Sequence, residues 1–187
     1  MSNTPDSNRL DADPDEMAPS PDGPPSSIEV EINVDANIDR AINHRAISAA
    51  VIAAADSRGF RAGQIGVRVT DDPTIRQIND KHLGHDYATD VISFGYSADL
   101  PVIEGELIVS IDTAIERARE LAWPTEHELL LYVVHGTLHI CGMDDHDNAD
   151  RAAMRRAEAD VMTRLGIDEI HRCGADMDAS TRTESRS

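Results

Sequence analysis

The sequence holds only two cysteines, Cys141 and Cys173, in 187 residues, and Cys173 falls in a polar stretch. That excludes a disulfide framework and fits a chain that folds in a reducing cytosol. No stretch of about 18 apolar residues occurs, so no transmembrane helix and no membrane partner are expected. The first residues lack the basic-then-apolar order of a secretory signal, and a cytoplasmic location is the expectation. Aromatic residues are scarce at 3%, against 40% hydrophobic overall, so the core has to be assembled from Ile, Val, Leu and Ala. Positive charge is short too: 17 Lys and Arg face 35 Asp and Glu, a net charge of −18. Such a balance excludes non-specific coating of nucleic acid through a broad basic face, and no DNA partner is expected. Residues 1–27 carry −5 and residues 168–187 carry −2, leaving −11 for the middle. The folded part is itself acidic, so any contact with a polyanion is local.

Two segments have too little apolar content to offset the entropy of ordering them. Residues 1–27, rich in Pro, Ser, Asp and Asn, and residues 168–187 are expected to be disordered tails. Between them, 28–167 reads as one domain in which strand and helix patterns alternate. Ile28-Glu-Val-Glu-Ile-Asn33 has the period-two alternation of a half-buried strand. Residues 39–57 form an amphipathic helix closed at Ser57-Arg-Gly59. A second strand is expected over Gln64–Thr70, and a helix opening at Asp72-Pro73 carries Ile75, Ile78 and Leu83 on one face. Strands follow at Thr89–Phe94 and Gly105–Ile111, then a helix from Asp112 to about Ala122. Pro124 opens the next helix, with Glu126 and Glu128 complementing the dipole at its N-terminus. That helix is apolar on most sides and therefore central. A final helix restarts at Asp147-Asn148 and ends at Gly166. The sum is an α+β domain: a four-stranded mixed sheet packed with about five helices, the metal-binding helix in the middle.

The chemistry concentrates in His135-Gly-Thr-Leu-His139-Ile-Cys-Gly-Met-Asp-Asp-His146. Residues four apart on a helix share a face, so His135 and His139 can aim at one point. Gly142 tolerates the left-handed backbone that ends a helix and turns the chain back, which brings His146 toward the same point. Three imidazoles with a fourth position left to water are the ligand set of a catalytic zinc site. One zinc per chain is expected, although imidazoles also suit nickel, copper or iron. Asp144 or Asp145 is the alternative third ligand. Cys141 is expected to face the core at the end of the helix. A zinc protease of the His-Glu-x-x-His type has Glu after the first histidine, where this chain has Gly136; the usual route of peptide hydrolysis is therefore disfavoured.

The histidine segment, with Thr89-Asp90-Val91-Ile92-Ser93-Phe94 and Gly105-Glu106-Leu107-Ile108-Val109-Ser110, resembles the YbeY family of bacterial ribosomal-RNA maturation endoribonucleases. That family's hallmark reads His-Gly-x-Leu-His-Leu-x-Gly-Tyr-Asp-His, and the likeness spans residues 28 to about 165. It implies an α+β domain in which His135, His139 and His146 bind a metal, usually taken to be zinc. It also implies cleavage of single-stranded RNA in maturation of the 16S rRNA 3′ end and in ribosome quality control, beside the small ribosomal subunit. Two departures stand out. The segment between the second and third histidines is one residue longer here, and Leu83 stands where many members carry an Arg.

Such a metal can lower the pKa of a bound water to about 7 and polarise a phosphoryl oxygen. The nucleophile is then that water or the RNA's own 2′-OH, and the general acid/base stays open. Asp144 and Asp145 can orient imidazoles or accept a proton, or serve as turn residues. Thr89, Asp90 and Ser93 can face the cleft or bond locally, with the structural role favoured for Asp90. Arg68, Arg76 and His85 are the candidate RNA contacts. Three functions fit: an RNA-cleaving metalloenzyme, a zinc metallo-hydrolase of another substrate such as peptides, or a ribosome-associated binding factor whose metal holds the fold.

Overall fold

The computed structural model describes residues 27–170, so the expectations for the two tails, and Cys173, fall almost wholly outside the described residues. The order is β1 (Ile28–Val34), α1 (His44–Ser57), β2 (Ala62–Thr70), α2 (Asp72–Leu83), β3 (Val91–Asp99), β4 (Val102–Ser110), α3 (Ile111–Leu121), α4 (Thr125–Ile140) and α5 (Asn148–Arg164). The strands form one sheet in the order β1-β2-β4-β3, with β1, β2 and β4 parallel and β3 antiparallel to β4 at the edge. This is the expected α+β domain: a four-stranded mixed sheet with five helices.

Alternation along the strands sorts the two sheet faces. Ile65, Val67 and Val69 of β2 and Ile103, Leu107 and Val109 of β4 are buried in the main core with α1, α3, α4 and α5. The opposite face is covered by α2, over a small cluster of Ile75, Ile92 and Ile108. After β2, α2 covers that face, and β3, antiparallel to β4, returns the chain to the end from which β4 runs parallel to β2.

Local chemistry accounts for most helix ends. Asn43, Asp71, Ser110 and Asp147 each accept a backbone N–H in the first turn of α1, α2, α3 and α5. Asn43 explains why α1 begins at His44 and not at residue 39: its side chain captures the N–H of Ala46 and stops the helix there. The third and fourth strands reach further than the alternation implied. They form a hairpin through Leu100-Pro101, with a register shift between Gly95 and Ser97. Leu83, expected on the buried face of α2, is 52% exposed. It lies outside the cluster under the helix, and the buried position one turn earlier is Asn79, whose amide donates to the Tyr87 carbonyl at 2.9 Å and ties the following loop back.

α4 is the central helix. Its residues from Glu128 to Val134 are all buried, as are Gly136–Leu138. Glu126 and Glu128 both sit in its first turn as expected, and Glu128 has a further role. It is buried and accepts from the Trp123 indole N–H at 2.8 Å. Gly136 decides how closely α4 meets the sheet: a Cβ there would lie 2.7 Å from Leu107 Cδ2 and 2.9 Å from Val91 Cγ2. The helix therefore rests on β3 and β4 with a glycine at the contact, and this fixes the direction of its neighbours His135 and His139.

Candidate metal centre

His135 and His139 occupy the last two turns of α4, and Gly142, at φ +87°, turns the chain out of the helix as expected. The two imidazoles meet edge to face, with Nε2 of each 3.0 Å from Nε2 of the other. Each Nδ1 is already committed. That of His139 donates to the Met143 carbonyl at 3.0 Å, and that of His135 is 2.7 Å from Oε1 of Glu158. A carbonyl and a carboxylate only accept, so both Nδ1 atoms carry hydrogen, and in the neutral rings both Nε2 atoms present lone pairs. Two lone pairs at this separation repel unless a cation lies between or beside them. A tetrahedral metal with nitrogen ligands at ~2.0–2.1 Å holds them ~3.3 Å apart, close to the spacing observed. The donor set therefore fits a zinc-like ion.

Electrostatics agree with a site built for positive charge. Burial pushes the His135 imidazole down, but Glu158, helped by Asp90 and Asp145, more than offsets this and leaves its pKa raised. Burial and the neighbouring His135 hold His139 low, so the pair resists carrying two protons. Glu158 is itself 3% exposed. A buried carboxylate that accepts from the far nitrogen of a ligand histidine sets its tautomer and strengthens its donor atom. It comes from α5, 23 residues along the chain from His135, and no local spacing announces it. A Glu on the apolar face of a helix was the signal available.

Asp145 is the third group within reach of the pair. Its carboxylate oxygens lie 4.0 Å from His135 Nε2 and 3.9 Å from His139 Nε2, and the three residues offer ligand atoms all within 4.8 Å of one another. The hallmark quoted above sets its third histidine six residues after the second, and the sixth residue after His139 is Asp145. His146, the expected third ligand, turns outward instead. Its side chain is 88% exposed and its Nε2 is 3.5 Å from Oδ1 of Asp144. Asp144, Asp145 and His146 form a second, more exposed group that shares Asp145 with the first. The loop is braced by Arg151 of α5, whose Nη1 donates to the carbonyls of Asp145 at 3.1 Å and His146 at 2.7 Å. Nothing in the spacing of Arg151 points to that role.

The remaining candidates lie elsewhere. Asp90 accepts from Thr89 Oγ1 and from the N–H of Val91, a local role, while its charge also acts on His135. Arg68 points from the α2 side of the sheet and pairs with Asp35 through two bonds of 2.9 Å. Arg76 on α2 grips Asp86 at 2.7 and 3.0 Å, and His85 stacks on Tyr87. The structure does not bring these three to the histidine pair. Gly136, read above as the absence of a protease glutamate, faces the sheet, so a side chain there would enter the apolar contact and not the metal centre. Cys141 is half-buried against the main core as expected, and burial pushes its thiol up to about 12. It is held as an inert thiol.

A family model described as endoribonuclease YbeY matches residues 28–166, the whole of the folded domain. The chain belongs to this family. A curated relative from Rhodopirellula baltica, described as endoribonuclease YbeY, is 54% identical over 124 residues, covering 65% of this chain and 64% of that protein. Another of the same description from Porphyromonas gingivalis is 38% identical over 107 residues, covering 57% of this chain and 70% of that one. Among solved structures, a solution structure from Thermotoga maritima matches at 22% identity and a TM-score of 0.49, over 79% of this chain and 98% of that one. Among the described residues no helix is long and apolar enough to cross a membrane.

Proposed function

We propose that this chain is a zinc-dependent endoribonuclease that cleaves single-stranded RNA, acting in 16S rRNA 3′-end maturation and ribosome quality control beside the small ribosomal subunit in the cytoplasm. One observation carries the chemistry: the two Nε2 lone pairs of His135 and His139 converge at 3.0 Å beside the Asp145 carboxylate. The curated relatives, described as endoribonucleases, carry the substrate class. His135, His139 and Asp145 would hold the ion.

A bound zinc supplies Lewis acidity toward a phosphoryl oxygen and makes a water acidic near neutral pH. The chain's own residues do the rest. Glu158 and the Met143 carbonyl keep both imidazoles in the tautomer whose Nε2 can donate electrons. Arg151 holds the consecutive carbonyls of Asp145 and His146, so Asp145 stays within reach. Asp144 and His146, a carboxylate and an exposed imidazole 3.5 Å apart at the rim, are placed to take up or hand on a proton.

The test pairs elemental analysis with RNA cleavage. Purified protein is expected to hold one zinc per chain and to cut single-stranded RNA. Chelation and His139→Ala should each abolish cutting while circular dichroism stays unchanged. Cleavage retained after verified metal removal sinks the mechanism, and hydrolysis of unfolded protein without RNA cleavage moves the substrate to peptides.

A further inference from the structure

On the sheet face opposite the histidines, a groove of about 570 Å³ runs between α2 and the outer surfaces of β3, β4 and β2. We propose that this groove is a binding track for single-stranded RNA, with bases stacked on Tyr96 and against Phe94 and a phosphate held by Lys81. The proposal rests on the reading of the chain as an endoribonuclease, and it concerns RNA bound away from the scissile bond.

The composition makes the placement informative. The sequence contains six Phe, Trp and Tyr residues in all, and of these Phe60, Trp123 and Tyr132 are buried. Tyr96, in contrast, is 63% exposed in the groove, and Phe94 is half-buried beside it. An exposed ring on an acid-rich surface contributes little to folding, and a ring face is what a nucleobase stacks on irrespective of its identity. The Tyr96 ring is also fixed, because its hydroxyl donates to Oε2 of Glu106 at 2.5 Å. That bond engages the groove's acidic residue as well. His82 approaches Phe94 edge-on, with centroids 5.6 Å apart, and completes an aromatic wall.

Charge points the same way. Lys81 is the one lysine in the sequence, and it lines this groove. Arg68 at the other end is paired with Asp35, so Lys81 is the groove's cation outside that ion pair, and Glu106 in the same lining keeps its negative charge. A local cation beside stacking rings is the combination that binds single strands without a broad basic face. The position suits the site. Ile92, Phe94 and Tyr96 of β3 face α2, while Val91 and Gly95 of the same strand face Gly136 and Ile140 of α4. A single edge strand therefore separates the groove from the helix that carries the metal ligands.

The test uses the full chain with a fluorescein-labelled single-stranded oligoribonucleotide and chelator present to prevent turnover. Tyr96→Ala should weaken binding about tenfold, and Tyr96→Phe, which keeps the ring, should bind as wild type does. Lys81→Glu should also weaken binding, and Lys81→Ala should lower the slope of log affinity against log salt by about 0.7. Urea midpoints of all four variants should match wild type. Equal affinity of wild type, Tyr96→Ala and Lys81→Glu overturns the proposal, and is also the result expected if the groove instead receives a protein. Zinc-loaded wild type that cuts RNA while these variants cut long and short RNA just as well removes the groove and leaves the nuclease standing. Wild type that binds through Tyr96 and Lys81 but never cuts leaves the groove standing and removes the nuclease.

Discussion

His135 and His139 act as a pair because each is held from behind. Without Glu158 and the Met143 carbonyl, either imidazole could turn its hydrogen toward the other, and the two Nε2 atoms would form an ordinary hydrogen bond. With both far nitrogens engaged, the close pair is held by a proton on one Nε2, which the raised pKa of His135 favours, or by a metal cation in its place. Asp145 and His146 divide the loop between them, one turned to the pair and the other to solvent. Asp145→Ala is therefore expected to lower zinc affinity at least tenfold, and His146→Ala less than about threefold, by competition with a chelator of known affinity. A larger loss in His146→Ala would restore it as the third ligand. The helical spacing made the pair legible in advance, because four residues are one turn. Which loop side chain turns to the pair is left open by the sequence between His146, Asp144 and Asp145, because its direction in a turn depends on what braces the loop, here Arg151 from another helix.

α4 is the element on which the site depends, and its contact with the sheet is tuned by one residue. Gly136→Ala gains about 1 kcal/mol of helix propensity, yet drives a methyl into Leu107 and Val91. Overpacking of this kind costs about 1–3 kcal/mol, so the net expectation is a lower urea midpoint and weaker zinc binding as the helix lifts from the sheet. A stabilised variant would mean that the sheet yields without cost. At the other end of α4, burial holds the Glu128 carboxyl above its ordinary range, more than the Tyr132 and Trp123 donors lower it. Ionising it therefore costs more in the fold than in the unfolded chain. Relative to Glu128→Gln, wild type should be most stable below the ordinary value of 4.5 and lose ground as pH rises through the raised one. Unfolding of the metal-free protein between about pH 4 and 8 checks the sign, and a difference that grows with pH reverses it.

For the molecule as a whole, a metal at this site would link parts distant in sequence. His135 and His139 come from α4, Asp145 from the loop after it, and Glu158 and Arg151 from α5, so binding would join two helices that already share the main core. Zinc at about 100 times its Kd should add ~2.7 kcal/mol to stability, and a chelator should remove that gain in a urea titration. Asp145→Ala should show little of this response, and a midpoint indifferent to zinc in wild type would dissociate the metal from the fold. The sequence by itself determined the class of fold, the order of the elements, the central helix and the histidine pair, because each follows from periodicity or from spacing within a turn. It did not carry the hairpin through Leu100-Pro101, the burial of Glu128, the Glu158 carboxylate behind His135 or the outward turn of the His146 side chain. Those were decided by the tertiary structure, for one physical reason: each depends on which groups meet across elements far apart in the chain, and a one-dimensional pattern records neighbours only along the chain.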